Sequence, residues 1–180
     1  MKPLLSLSRA TLVPTTTADL DRVCHLLWDR DVRRYLCDDE ELPRDLIAGF
    51  LARSDALEPR HIGLWRIETA ADGFVGLCGL TPVADWMEKY PLMAGGVEPV
   101  VALYSKVWGR GIAREALAAL VRHAATGCGL ARLVGCVDAP NEASRRMMMR
   151  CGFVETGSGQ APKYPAIFYE RILTVRATAT

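Results

Sequence analysis

Several things are missing from this 180-residue chain, and each absence removes a class of function. No apolar run approaches the roughly 20 residues that cross a bilayer as a helix, so no membrane span is expected. Met1 to Thr11 lacks the basic, apolar and small-residue layout of an export signal. Neither sign of charge is in excess. With 22 basic and 21 acidic residues the formal net charge is +1, which gives no reason to expect nucleic acid or an anionic membrane as the main partner. Histidine is scarce, and His25, His61 and His123 are scattered on separate predicted elements. No metal site is expected from them, and core or surface histidines are the default. Cys24, Cys37, Cys78, Cys128, Cys136 and Cys151 form no CxxC pair and have no histidine at zinc spacing. Each lies in or beside an apolar stretch, and they read as reduced, mostly buried thiols of a cytoplasmic protein. Repeats, low-complexity tracts and linkers are absent too. The chain therefore reads as one domain over 1–180, with a core of about 4–175.

What is present is a core-forming α/β pattern. Half of the residues are apolar, enough for a sizeable interior. Alternation over Leu4–Thr11 predicts a first strand. Thr17 or Asp19 caps a helix through Leu20, Val23, Leu26 and Leu27, reaching toward Tyr35, and Pro43 or Asp45 starts another through Leu51. Asp55–Arg60 breaks it. His61–Glu68 and Phe74–Leu80 flank the turn Ala71-Asp72-Gly73 as a hairpin. Thr81–Gly96 is a long connection with Trp86, Met87 and Tyr90, of a length that is often functional. Val97–Ser105 is a nearly continuous apolar strand suited to a sheet centre. Ile112 to Ala124 forms a helix ended by Gly127 or Gly129. Strand Ala131–Val137, helix Glu142–Cys151 and strands near Phe153–Thr156 and Ala166–Val175 follow. The order β-α-α-β-β-β-α-β-α-β-β is a mixed α/β sheet in one domain.

Two segments carry chemistry. In Trp108-Gly109-Arg110-Gly111 a glycine turn joins the central strand to a helix. Without Cβ atoms its backbone N–H groups can point outward, and the helix start adds unpaired N–H groups and a positive dipole end. Such a place suits phosphate, and Arg110 and Arg114 add charge. The turn matches neither GxxxxGK[ST] nor GxGxxG. Alone, it reads equally well as a phosphate site and as an ordinary strand-to-helix turn. The second segment runs from Asp138 to Phe153. Asn141 is a good helix N-cap, Ser144 falls one turn in, and Met147-Met148-Met149 reads as irregular core filling.

Together, a glycine-rich strand–helix turn, a strand, and then Asn-x-x-Ser-x-x-x-x-x-Arg-x-Gly-Phe resemble the GNAT acetyltransferase superfamily. The stretches Asp29–Leu36 and Trp108–Ala116 resemble its RimJ/RimL-type branch. The similarity spans roughly Leu4 to Val175. Gly111 and Ala113 match the Gln/Arg-x-x-Gly-x-Gly/Ala pattern, and Trp108 replaces its first residue, as is frequent in that branch. The resemblance implies a mixed, mostly antiparallel sheet flanked by helices, with two central strands splayed apart. It implies that backbone amides of Trp108, Gly109, Arg110, Gly111, Ile112, Ala113 and Arg114 hold the pyrophosphate of acetyl-CoA. Val101 and Leu103 would hold the thioester carbonyl, Asn141 would bond the pantetheine, and Arg146 or Arg150 would lie near it. The co-substrate would be acetyl-CoA, without a metal, and the acceptor an amine: a protein N-terminus or a small molecule.

Acetyl transfer needs a neutral amine, a stabilised oxyanion and a proton for the leaving thiolate. Where many members place a Tyr acid, this chain has Met148, which donates no proton. Ser144 is then the candidate acid, or else a hydrogen-bonder of CoA. Glu98 is the candidate base, or else an ordinary strand-end carboxylate. Asp38-Asp39-Glu40-Glu41 is either an attractor of cationic amines or a solvated loop. The Thr81–Gly96 connection is a lid, a homodimer contact or a satellite cluster. The competing readings are a non-catalytic acyl-CoA sensor of the same fold, and a Rossmann module, which the late position of the glycine turn disfavours.

Overall fold

The structure is a computed structural model that describes residues 1–174, so the expected end of the last strand at Val175 lies outside the described residues. The alternation expected to give one first strand gives two, because the chain folds back at Leu7–Ala10. Strands β1 (Leu5–Ser6) and β2 (Thr11–Pro14) pair antiparallel across that turn. The helix expected to run from Leu20 toward Tyr35 is also broken. Asp29 adopts ψ 129° between α1 (Leu20–Trp28) and α2 (Arg30–Leu36), and its carboxylate accepts from the N–H groups of Asp31 and Val32. An aspartate cap inside an apolar-periodic run starts a new helix at a new angle. Helix α3 (Arg44–Ala56) runs on past Asp55, where a break was expected.

The remaining elements follow the expected order: β3 (Gly63–Thr69), β4 (Gly73–Pro82), β5 (Val97–Leu103), α4 (Ile112–Thr126), β6 (Arg132–Asp138), α5 (Glu142–Arg150), β7 (Val154–Gln160) and β8 (Pro165–Ile172). They form two antiparallel sheets rather than one, ordered β1-β2-β3-β4-β5 and β6-β8-β7. A single core cluster spans one face of both sheets. It joins Leu117 and Leu120 of α4 and Met148 of α5 to Ile67, Cys78, Leu133 and Tyr169. On the opposite face the first sheet is covered by α1 to α3, through Val23, Leu26, Ile47 and Leu51 packed on Leu77 and Ala102.

The connection 81–96 covers that same side of the second sheet. Val83, Met87 and Met93 pack on Val134, Ala166 and Phe168, and the Tyr90 ring lies tilted against Phe168 with centroids 4.8 Å apart. The Tyr90 hydroxyl also accepts from the Gln160 N–H at 2.9 Å. The connection is therefore a satellite core with apolar partners of its own. The two sheets meet along a seam.

Candidate functional site

That seam is where β5 and β6 approach without pairing. Gly96 lies against Val134 so closely that a Cβ would collide with its side chain. Two residues on, the Cys136 N–H faces the Glu98 carboxylate. Residues 96 and 98 thus meet 134 and 136 in the same order, so the two strands run parallel. Among the described residues no ladder joins them.

Which β5 groups face the seam follows from the register. Tyr104 donates its N–H to Val75 O at 3.0 Å, with Gly76 opposite Leu103. Backbone polar groups alternate in direction along a strand, so those of Leu103 and Val101 point away from β4 and into the seam. The Leu103 carbonyl is already used: the Trp108 indole donates to it at 2.8 Å. The N–H groups of Val101 and Leu103 and the Val101 carbonyl remain for a ligand. An extended chain laid along this edge would complete the ladder that β6 does not supply.

The start of α4 stands at the end of this edge. Gly109 and Gly111 have φ of 74° and 80°, a region that costs a residue with a Cβ strain energy. Gly111 is the N-cap, and no side chain caps the helix. Its first-turn N–H groups therefore stay open to an anion. Arg110 is engaged elsewhere, bridging Asp72 at 3.0 Å and the Lys106 carbonyl at 3.0 Å. That contact pins the glycine turn to the β3–β4 turn. Ile112 is buried and Ala113 partly so, while Arg114 projects to solvent.

From the other strand, Asn141 caps α5 by accepting the Ser144 N–H at 3.2 Å. The cap uses its side-chain oxygen and leaves its amide NH2 to donate. The partly covered Ser144 hydroxyl has no hydrogen-bond partner among the described residues. Arg146 lies on the outer face of α5, paired with Glu142 at 2.9 Å. Met148 is buried over Gly135 in the core.

The opposite face of the seam is acidic. By strand alternation Glu98 shares the face of Ala102 and Tyr104, and Asp138 that of Val134 and Cys136. Burial pushes the Glu98 carboxyl up to about 8, against which the Cys136 N–H works. Asp138 is pushed up to about 6 by burial and by the charge of Asp38, with Lys163 opposing. Cys136 rises to about 12 through burial and the three carboxylates Glu98, Asp138 and Asp38. Asp38 and Asp39 hold φ of 54° and 67°, left-handed values that Asp tolerates better than most residues. Lys163 donates to the Asp38 carbonyl at 3.0 Å and lies 3.4 Å from the Asp39 carboxylate. With the Tyr164 ring tilted against Tyr35 at 5.8 Å between centroids, it ties the β7–β8 turn to the loop after α2. Of the acidic run 38–41, Asp39 and Glu41 are taken up by Lys163 and Arg33, and Asp38 is the member that faces inward.

The seam therefore has two unlike faces: helix starts and free N–H groups on the α4/α5 side, and carboxylates on the other. Glu98, Val101, Leu103, the glycine turn and Asn141 converge on it from both sides. Sequence reasoning missed Asp138 and the inward role of Asp38. A carboxylate closing an apolar strand was the available sign for Asp138.

A family model described as an acetyltransferase (GNAT) domain matches residues 9–154. A GNAT-family acetyltransferase structure from Bordetella pertussis is similar at TM-score 0.82 and 23% identity, covering 94% of this chain and 99% of that one. A RimL ribosomal L7/L12 alpha-N-protein acetyltransferase in complex with coenzyme A is similar at TM-score 0.77 and 15% identity, over 97% and 100%. A spermidine N-acetyltransferase from Vibrio cholerae, in complex with CoA and spermine, is similar at TM-score 0.72 and 17% identity, over 92% and 96%. No curated protein sequence matches the chain.

Proposed function

Since the chain belongs to the acetyltransferase (GNAT) domain family, we propose that it moves an acetyl group from acetyl-CoA to a primary amine by direct attack in a ternary complex. The observation that carries this reading is the unpaired edge of β5, open between the start of α4 and Asn141. Backbone amides of residues 108–114 take the pyrophosphate. The pantetheine extends along Val101 and Leu103 and meets the free amide of Asn141.

The acceptor enters from the carboxylate side. Glu98 removes its proton; a carboxyl held near 8 is matched to an α-amine of about 7.7–8. The nitrogen then bonds to the thioester carbon, and the N–H groups facing the seam stabilise the oxyanion. The C–S bond breaks, and the Ser144 hydroxyl passes its proton to the thiolate while taking up the one the nitrogen sheds as it becomes an amide, so the serine ends as it began. The acceptor is a protein N-terminus or a small amine. Likeness to the RimL structure supports the first, and likeness to the spermine-bound structure the second. Six free cysteines, each with its thiol pushed up by burial, suit a reducing, cytoplasmic setting.

The test is titration calorimetry with acetyl-CoA, CoA and NAD, then thiol release with pooled amines and N-terminal peptides. Acetyl-CoA is expected to bind, NAD is not, and one pool is expected to release CoA and so define the acceptor. Failure of acetyl-CoA to bind overturns the reading.

A further inference from the structure

An open cavity of about 540 Å³ runs along the outer flank of α4, from Gly111 at the helix start to Arg150 and Gly152 at the end of α5. Arginines reach it from four separate segments: Arg9 from the β1–β2 turn, Arg114 from α4, Arg150 from α5 and Arg171 from β8. Its only carboxylate, Glu115, is already occupied. It accepts the Ser8 and Arg9 N–H groups and the Ser8 hydroxyl, which hold its carboxyl low against the opposing effect of burial. Among the described residues, Arg114, Arg150 and Arg171 have no carboxylate partner. At Gly152 the backbone has φ 79°, and the Arg171 guanidinium approaches within 3.2 Å of where a Cβ would stand.

Gathered guanidinium groups repel one another and call for an anion between them. Their planar donor forks suit a phosphate monoester, which they can bind by two parallel hydrogen bonds. Position narrows the ligand further. The cavity begins at Gly111, where the free N–H groups of α4 accept a pyrophosphate, and Arg114 stands one helical turn along. A ligand seated there carries a second phosphate group a short distance from its pyrophosphate. Building on the acetyl-CoA reading above, we propose that Arg114 and Arg150, with Arg9 at the rim, bind the 3′-phosphate of the coenzyme's adenosine end. They thereby select CoA over dephospho-CoA.

Titration calorimetry of the full chain with CoA and with dephospho-CoA tests this. The wild type is expected to bind CoA at least about tenfold more tightly, which is about 1.4 kcal/mol. In an Arg114→Gln/Arg150→Gln variant the ratio of the two affinities is expected to fall to within about twofold. Both ligands share the pyrophosphate and pantetheine. General damage to the site therefore weakens both and preserves the ratio, whereas loss of the phosphate contact lowers it. A wild-type ratio near one overturns the proposal, as does a ratio that survives in the variant. If the wild type binds neither ligand, the acetyl-CoA reading falls and takes this inference with it.

Discussion

The Trp108 indole N–H donates to the Leu103 carbonyl at 2.8 Å, so the residue that opens the glycine turn is bonded to the last residue of β5. In the proposed complex this one contact joins the part of the seam that would face the pantetheine to the part that would face the pyrophosphate. It also removes a carbonyl that would repel a developing oxyanion. Trp108→Phe keeps the ring and loses the donor. Acetyl-CoA affinity is expected to fall about three- to tenfold, the size of one hydrogen bond at about 1 kcal/mol, measured by titration calorimetry. Unchanged affinity would mean that the backbone bond from Trp108 to Ser105 O, 3.0 Å long, holds the turn unaided.

Glu98 predicts a pH dependence of both rate and stability. Its carboxyl ionises near 8 in the folded chain against an ordinary value of 4.5. The rate constant kcat/KM is therefore expected to rise with pH through about 8, and Glu98→Gln to remove that limb and about 10²-fold or more of the rate. For stability the sign follows from the raised value. The folded state keeps its proton where the unfolded state has lost it, so stability falls as pH climbs from about 4.5 to 8. Gln does not titrate. The melting temperature of Glu98→Gln minus wild type is expected to be near zero at pH 4, to grow through that window and to level off above it. Asp138 titrates in both proteins and cancels. A pH-independent difference would refute the buried-carboxylate account.

The close approach of β4 to β5 predicts a contrast between two glycines. A Cβ on Gly76 would strike the Ala102 carbonyl and stand 3.0 Å from Leu103 Cα, and backbone cannot swing aside as a side-chain tip can. Gly76→Ala is expected to cost about 2–3 kcal/mol and to disturb the seam. Gly49, inside α3, has nothing within 4 Å of its Cβ position. Gly49→Ala is expected to stabilise by about 0.4–1 kcal/mol. Denaturant titrations of both variants check the pair, and equal effects would contradict the packing described.

These examples mark what the sequence made legible. The glycine turn and the Asn141 cap were readable because their chemistry is local: a positive φ, an open helix start, a short polar side chain before a helix. The division into two sheets was legible only through the family resemblance, which implied two splayed central strands; the residues alone do not show it, because the missing β5–β6 ladder depends on positions distant in sequence. The break at Asp29 was hidden inside an apolar periodicity that continues across it. The connection 81–96 revealed only its length; that Tyr90 packs against Phe168 depends on a strand about 80 positions away. The arginine cavity was equally hidden, since Arg9, Arg114, Arg150 and Arg171 share no motif. Only the docking of the β1–β2 turn on α4 through Glu115 brings Arg9 to the others.

Asn141 has two jobs in this reading, and its chemistry lets them be separated. The side-chain oxygen caps α5 by accepting the Ser144 N–H, and the amide nitrogen is left for the pantetheine. Asn141→Ala loses both and is expected to cost about 1 kcal/mol of stability together with acetyl-CoA affinity. Asn141→Asp keeps a capping oxygen and places a negative charge at the helix start, which favours the helix. It cannot donate to a ligand carbonyl while ionised. Thermal denaturation is therefore expected to find Asn141→Asp as stable as the wild type, while calorimetry finds acetyl-CoA bound about tenfold or more weakly, roughly the value of a hydrogen bond replaced by an unpaired carboxylate. If Asn141→Asp binds acetyl-CoA like the wild type, the residue is a helix cap and nothing more, and the pantetheine is held by the β5 edge alone.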